Sequence, residues 1–168
     1  MDSCLGCGAP SRMIDMLCIP GKAIGKERAR FSSYGVCYTP KKTKNFEALI
    51  GAYARNYMMQ EKIETLGVDE PVMLILCIYK KIPTAWSAKK KMLARNGHIR
   101  PTKKPDASNV LKAVEDGMNR IAYDDDRQIV DIIIRCFYAD DDWIQVQFCR
   151  SPEPFDFIKY IPKDILKI

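Results

Sequence analysis

The chain has 168 residues, 47% hydrophobic and 29% charged, a composition typical of a globular protein with its own core. This length fits one compact domain that buries about two-thirds of its unfolded surface without disulfides or metals. Lysine and arginine total 27 against 21 aspartates and glutamates, so the charge of +6 favours an anionic partner without identifying it. No run of about 20 apolar residues and no secretory signal is present, which predicts a cytoplasmic protein.

The first twelve residues contain the short motif "CLGC", which places Cys4 and Cys7 at the spacing of half a zinc site. A complete site needs two further ligands at matching spacing, and the sequence offers only lone cysteines and the solitary His98. We therefore predict a flexible leader over residues 1–12 and keep a zinc-binding interaction module as the alternative.

The first half of the remaining chain alternates between strand and helix patterns. Residues 13–19 and the stretch "ARFSSYGVCYT" have strand patterns, with "SSYG" as a turn, and predict an early hairpin or meander. Residues 43–66 carry apolar side chains at helical spacing, and Gly67 is placed to end that helix. The continuous apolar run "VMLILCIY", residues 72–79, is typical of a central strand covered on both faces.

A basic segment, "TAWSAKKKMLARNGHIRPTKKP", follows Pro83 and has weak helical amphipathicity. Such a run is either a solvated helix face or loop, or a track that binds an anionic backbone. Seven of the 27 basic side chains fall here, and the second interpretation makes them DNA-contacting candidates: Lys89, Lys90, Lys91, Arg95, Arg100, Lys103 and Lys104.

The second half of the chain completes the predicted fold. Residues 106–121 form a helix, and residues 127–138 and 143–149 form two strands that "ADDD" joins as a tight hairpin turn. The tail, residues 151–168, contains too many prolines for a long helix. The elements together predict an α+β fold in a single domain, residues 13–150, with helices packed against a mixed β-sheet.

Two runs of three aspartates, residues 124–126 and 140–142, interrupt this basic chain. Adjacent carboxylates repel, so a folded protein keeps them either in solvent or around a cation. The hairpin turn accounts for residues 140–142, because aspartate stabilises turns through hydrogen bonds to nearby backbone. Residues 124–126 instead lie in the short loop after the helix predicted at 106–121.

The polar side chains of that helix lie on one face. Asn109, Lys112, Asp116 and Asn119 are separated by three, four and three residues, and Asp106 precedes the helix as a candidate cap. If the helix start and the loop converge, their carboxylates, phosphate oxygens and water form the usual ligand set of Mg²⁺. Lys112 would then offset charge on the phosphorus oxygens. Each feature alone is most simply a cap, a solvated lysine or a turn, but together with the basic segment they favour phosphodiester cleavage.

These residues resemble the RusA family of Holliday junction resolvases. "KPDASNVLK", "DGMNR" and "DDRQI" stand in the order and spacing of the family signature. Upstream, "GKERARF", "YTPKKTKNFE" and "IPTAWSAKKK" look like the N-terminal strands, first helix and basic segment of the family. The likeness covers about residues 13–150.

The resemblance implies a RusA-like homodimer of bacterial or phage origin that acts in DNA recombination and repair. It would be an Mg²⁺-dependent endonuclease, with Mn²⁺ as an alternative ion, that nicks opposed strands of a four-way junction. Asp106 and Asp126 would be the catalytic, metal-binding carboxylates and Lys112 the catalytic lysine, with Asp125 beside them at the metal.

The chain departs from the family pattern at two positions of this region. Ser108 stands where a second aspartate is common, and a neutral hydroxyl is a weaker metal ligand than a carboxylate. Asp116 and Asp125 are the candidates to complete the metal shell. Arg120 replaces a glycine after Asn119, which leaves the conformation of that turn open. Because of Ser108, the alternative function is a branched-DNA-binding protein with weak or no cleavage.

Overall fold

The computed structural model describes residues 17–151. The predicted leader with Cys4 and Cys7, the start of the first predicted strand and nearly all of the predicted tail therefore lie outside the described residues. In the described range, none of the helices is long and apolar enough to cross a lipid bilayer.

Within residues 17–151, strands and helices combine in an α+β arrangement, as predicted. The strands are β1 (Leu17–Pro20), β2 (Arg30–Phe31), β3 (Cys37–Tyr38), β4 (Val72–Lys81), β5 (Ile129–Ala139) and β6 (Trp143–Arg150). The helices are α1 (Lys41–Glu61), α2 (Ala88–Arg95) and α3 (Ala107–Met118), and a 3-10 turn covers Asp126–Gln128.

The main sheet has four strands in the order β1-β6-β4-β5. β4 and β5 are parallel, which requires the long crossover through α2 and α3, whereas β6 is antiparallel to both of its neighbours. The predicted mixed sheet is therefore confirmed. β4 lies inside the sheet and residues 72–78 are all buried, as the continuous apolar run predicted.

Helices α1 and α3 pack against each other in the main core. Val110, Val114 and Met118 of α3 are fully buried together with Ile50 of α1. The two helices approach closely at Gly117, where an added Cβ would lie 2.8 Å from the carbonyl oxygen of Glu47. This close approach brings the polar edges of both helices together.

The predicted hairpin between residues 127–138 and 143–149 is wrong. β5 and β6 do not pair with each other, because β4 lies between them. Residues 140–142 instead cross the end of β4, where the Asp142 carboxylate accepts a hydrogen bond from Lys81 N at 3.0 Å. The local pattern identified both strands correctly, but it contained no information about the strand that separates them.

The early hairpin predicted around "SSYG" is confirmed, since β2 and β3 pair with each other. Two other predictions near the N-terminus need correction. β1 does not join this hairpin but pairs with β6 in the main sheet. Helix α1 ends at Glu61 and not near Gly67, because Lys62 adopts a left-handed backbone with φ of 54°. Its backbone N–H donates to the Met58 carbonyl and closes the helix.

Candidate active site

The polar face of α3 begins at Asp106, which occupies the N-cap position with extended backbone (φ −70°, ψ 138°). Its carbonyl accepts the first helical hydrogen bonds, while its exposed carboxylate accepts a 3.4 Å hydrogen bond from the Asn109 side-chain amide. Among the described residues, the carboxylate makes no capping hydrogen bond to the α3 backbone. The Asp106 side chain therefore faces solvent at the start of the helix, as a ligand for an external cation would.

Lys26 lies at the centre of the acidic part of this face. Its ammonium group forms an ion pair with Asp116, and its backbone N–H donates to the Asn109 carbonyl at 2.7 Å. The hydrogen bond to Asp116 is the main reason that the pKa of Lys26 lies above its ordinary value. Partial burial opposes this effect, while the charges of Asp116, Glu47 and Asp126 add to it.

Two glutamates extend the acidic cluster around Lys26. Burial is the main cause that raises the pKa of Glu115, and the charges of Asp126 and Asp116 raise it further, against Lys112 and Lys26. The pKa of Glu47 is raised by burial first and then by Asp116. Carboxylates this close repel one another, so the cluster attracts cations.

A firmly anchored loop carries the aspartates at 124–126. The Asp125 carboxylate accepts a 3.1 Å hydrogen bond from Arg127 N, and Asp125 N donates to the Gln128 side chain at 2.9 Å, forming a capping box. The Tyr123 hydroxyl donates to the Glu115 carbonyl at 3.0 Å, and the burial of this ring raises its pKa. The structure thus gives Asp125 a backbone-capping role, while Asp124 is exposed.

Arg120 lies in the turn after α3, at the position where the family pattern has a glycine. Arg120 adopts φ of 59°, the left-handed conformation that glycine favours. The exposed arginine therefore keeps the backbone shape of a glycine position.

The predicted metal ligands are only partly brought together. Asp106 and Asp116 are ten residues apart on a continuous helix, roughly 15 Å along its axis, so one ion cannot bind both. The charge of Asp126 raises the pKa of Glu115, near the C-terminal end of α3, and that of Tyr123. Ser108 is exposed in the first turn. Asp116 is therefore corrected from a partner of Asp106 to the partner of Lys26.

The fit of a divalent ion depends on how many ligands the protein must supply. Within residues 17–151, no group of three or more histidine, cysteine, aspartate or glutamate side chains is placed to hold a metal ion. Mg²⁺ is commonly held by one or two carboxylates together with phosphate oxygens and water. The exposed carboxylates of Asp106 and Asp126 each have the donor chemistry for such an ion, and DNA phosphates and water would supply the remaining ligands.

The basic segment is fixed to β5 through aromatic contacts. α2 is capped by Ser87, and the ammonium group of Lys90 lies 4.1 Å from the ring centre of Trp86. Trp86 in turn packs edge-on against Tyr138, with ring centres 5.1 Å apart. The aromatic contact between Trp86 and Tyr138 attaches the segment to the sheet, and the cation–π contact holds Lys90 on Trp86 within the segment.

Two predicted DNA-binding arginines are engaged within the fold. Arg95 binds the Asp140 carboxylate through three hydrogen bonds of 2.6–3.3 Å. The Arg100 guanidinium donates to the Cys136 carbonyl at 2.6 Å and lies 4.0 Å from the Phe137 ring centre. Of the remaining lysines of the segment, Lys91 is half-buried. The other three are exposed: Lys89, Lys103 and Lys104.

An open groove of about 390 Å³ separates α1 from the end of α3. Its walls combine basic and acidic side chains: Lys44, Glu47 and Arg55 on one side, Asp116 and Asn119 on the other. Sequence reasoning missed Lys26 and Glu47, because only the tertiary fold brings them to Asp116. It also missed Glu115, which adjoins Asp116 in the sequence. The one available signal was the family-like segment "GKERARF", which contains Lys26.

Comparison with known proteins assigns the family. Residues 20–148 match the model of the endodeoxyribonuclease RusA family, which is most of the chain. The chain therefore belongs to the RusA endodeoxyribonuclease family, and the predicted family is confirmed. It is also similar to the uncharacterised protein YqaN of Bacillus subtilis (strain 168), with 35% identity over 109 residues, 64% of this chain and 73% of YqaN.

Proposed function

We propose that this protein is a structure-selective endonuclease that resolves four-way DNA junctions by paired nicks in recombination and repair. The observation that carries the proposal is the polar face of α3, in a chain of the RusA endodeoxyribonuclease family. That face presents the exposed Asp106 carboxylate and the exposed Lys112 ammonium two turns apart. Cytoplasmic DNA of a bacterium or phage is the proposed setting.

The roles of the site residues follow from their chemistry. Asp106 and Asp126 would each serve as a carboxylate ligand of divalent ions, Mg²⁺ or Mn²⁺, which when bound activate water and stabilise the leaving oxygen. Asp125 orients the loop that carries Asp126 through its backbone cap. Lys112 would place positive charge beside the scissile phosphate, and its charge partly opposes the rise in the pKa of Glu115.

The exposed lysines of the basic segment would bind the DNA backbone. Lys89, Lys103 and Lys104 are exposed, and Lys103 and Lys104 shortly precede α3 in the chain. Phosphate contacts of this kind are independent of sequence and weaken steeply with salt. They would position the junction while the polar face of α3 acts on one strand.

Paired nicks on opposed strands require two active sites, so we propose that the protein works as a homodimer. Equilibrium sedimentation should show a dimer, either free or on a junction. A protein that stays monomeric in both conditions contradicts this part of the proposal.

A cleavage assay on a synthetic four-way junction tests the function directly. We expect paired nicks near the crossover in Mg²⁺, and no products in EDTA or on a linear duplex of the same sequence. Asp106→Asn and Lys112→Gln should each lower the nicking rate about a hundredfold or more and keep junction binding. Full nicking by both variants would refute the site assignment.

A second candidate function is branched-DNA binding without cleavage. Ser108 in place of a carboxylate favours it, together with the lack of a three-ligand metal group among residues 17–151. Junction binding without products in either Mg²⁺ or Mn²⁺ would support this candidate. Ser108→Asp should then create or increase nicking, because it adds a charged ligand next to Asp106.

A further inference from the structure

The hairpin of residues 30–38, formed by β2, β3 and their turn, exposes large apolar side chains. Tyr34 is 92% exposed, Phe31 74%, Val36 62% and Tyr38 45%. In the hairpin register Tyr38 lies opposite Arg30 and Phe31 lies opposite Cys37, so both faces of the ribbon carry an aromatic ring. Clusters of exposed apolar groups rimmed by polar residues mark interaction sites.

The tip of the hairpin is well defined by hydrogen bonds. Ser32 N donates to the Val36 carbonyl at 2.9 Å, and Gly35 N donates to the Ser32 carbonyl at 3.0 Å. The Ser32 hydroxyl accepts from Val36 N at 3.1 Å, and Gly35 supplies the left-handed backbone with φ of 75°. The turn therefore holds Tyr34 outward in a fixed direction.

The charge around the hairpin fits an anionic partner. Residues 26–44 contain six lysines and arginines and one acidic residue, Glu27. Arg28, Lys41 and Lys42 are exposed on both sides of the hairpin, while Arg30 pairs with Glu27 at 2.9 Å. Exposed rings between exposed cations are the combination that binds nucleic acid through base stacking and phosphate contacts.

The root of the hairpin is attached to the candidate active site. Lys26 N donates to the Asn109 carbonyl on the polar face of α3, and Glu27 N donates to the Thr43 hydroxyl of α1 at 3.3 Å. A Cβ at Gly25 would lie 3.0 Å from Cβ of Asn109, so the chain runs directly along α3. The hairpin therefore leaves the protein surface beside the residues proposed to cut DNA.

We propose that this hairpin recognises the branch point of the junction, with Phe31, Tyr34 and Tyr38 stacking on base faces where the arms end. In a continuous duplex each base face is covered by its neighbours, whereas the crossover offers faces that a ring can reach. Stacking is tolerant of sequence, so it selects structure and not bases. The inference rests on the proposed function, since it names how the same site selects branched DNA.

Binding of the full chain to a four-way junction and to a linear duplex of identical sequence tests this role. The combined variant Phe31→Ala, Tyr34→Ala, Tyr38→Ala should lose at least about tenfold in junction affinity, since one lost stack is worth roughly 5- to 150-fold. Its duplex affinity should stay within about twofold. Tyr34→Phe should bind as the unchanged protein does, because it keeps the ring.

Two further measurements make the result specific. The matched control changes exposed apolar residues elsewhere, Met59→Ala and Val68→Ala, which are 75% and 55% exposed. We expect no loss of junction affinity in this control. The emission of a fluorescent adenine analogue at the crossover should change when the rings of the unchanged protein stack on it, and should not change with the triple variant.

The outcomes separate this inference from the proposed function. If the unchanged protein nicks junctions and the triple variant binds them equally well, the hairpin proposal fails while the function stands. An equal loss of affinity for junction and duplex in the triple variant also overturns the hairpin proposal. A change of the triple variant from dimer to monomer overturns it as well, because it would show that a second copy of the chain covers the rings. A protein that does not prefer junctions over duplex removes both proposals.

Discussion

The two runs of three aspartates have the same composition and opposite surroundings. At residues 140–142, Asp140 binds Arg95, Asp141 binds Lys81 at 2.8 Å, and Asp142 binds the backbone of Lys81. At residues 124–126, Asp126 lies near further carboxylates, and its charge raises the pKa of Glu115. Two carboxylates of the first run pair with cations of the fold, whereas Asp126 of the second run adds to a cluster of negative charge.

This difference separates a structural role from a chemical one. A carboxylate with its own arginine or lysine has little affinity left for an external cation. Carboxylates that repel one another around a single lysine, as they do around Lys26, gain from a further positive charge. The run at 124–126 is therefore the one suited to act with a divalent ion and DNA phosphate, as we propose.

Replacing one aspartate of each run by asparagine should give the largest difference in nicking rate. We expect Asp126→Asn to lower the rate of junction nicking about a hundredfold or more, because it removes a proposed metal ligand. Asp141→Asn should keep the full rate, because this carboxylate pairs with Lys81 and belongs to the other run. Single-turnover nicking of a labelled four-way junction measures both, and equal rates for the two variants would contradict the comparison.

A methyl group at Gly117 should disturb the helix contact beneath the acidic cluster. Alanine normally stabilises a helix relative to glycine, but here the added Cβ would lie 2.8 Å from the Glu47 carbonyl oxygen and 2.9 Å from Ile50 Cβ. We expect Gly117→Ala to lower the free energy of unfolding by about 1–3 kcal/mol and to reduce nicking.

Urea unfolding measures the stability of this variant, and Gly67→Ala is its matched control. The nearest atom to a Cβ at Gly67 is 4.0 Å away, so this change should be close to neutral. A Gly117→Ala protein as stable as the unchanged one would show that α1 and α3 do not approach each other this closely in solution.

The salt dependence of DNA binding should distinguish free from engaged cations near residues 140–142. Lys89→Gln should reduce the slope of log affinity against log salt by about 1, since an exposed lysine contributes a phosphate contact. Arg95→Gln should change the slope less, because Asp140 already holds its guanidinium group. Fluorescence anisotropy titrations at several salt concentrations give both slopes, and a larger effect of Arg95→Gln would reverse this assignment.

The smallest expected effect is a change in one pKa. The hydrogen bond from Arg95 holds the pKa of Asp140 below its ordinary value of 3.8. Because the folded-state pKa is depressed, this pair stabilises the fold above about pH 4 and loses its contribution as the pH falls through the folded-state pKa.

An NMR titration of the Asp140 carboxyl carbon follows this pKa. In Arg95→Gln it should rise toward 3.8, whereas Lys81→Gln, which removes a weaker and more distant charge, should raise it less. An unchanged pKa in Arg95→Gln would mean that Asp140 and Arg95 do not interact in solution.

The sequence alone determined the elements whose burial has a local period, and the order of the family motifs. The run at 72–79 predicted an interior strand. The spacing of Asn109, Lys112 and Asp116 predicted a polar face on α3, and the buried residues of the helix are Val110, Val114, Met118 and their neighbours. Periodicity succeeds here because the polarity of each residue indicates whether its own position is buried. "KPDASNVLK" and "DDRQI" likewise predicted the family by their order and spacing, and the match over residues 20–148 confirms it.

Only the tertiary structure decided which distant parts meet. It placed β4 between β5 and β6, paired Asp140 with Arg95 and Asp141 with Lys81, and brought Lys26 and Glu47 to Asp116. The physical reason is that strand order and ion pairing depend on long-range packing. The free energy of that packing comes from many residues distant in sequence, so no short stretch of sequence predicts it. For the same reason, sequence placed Asp116 with Asp106, although a rigid helix holds them three turns apart.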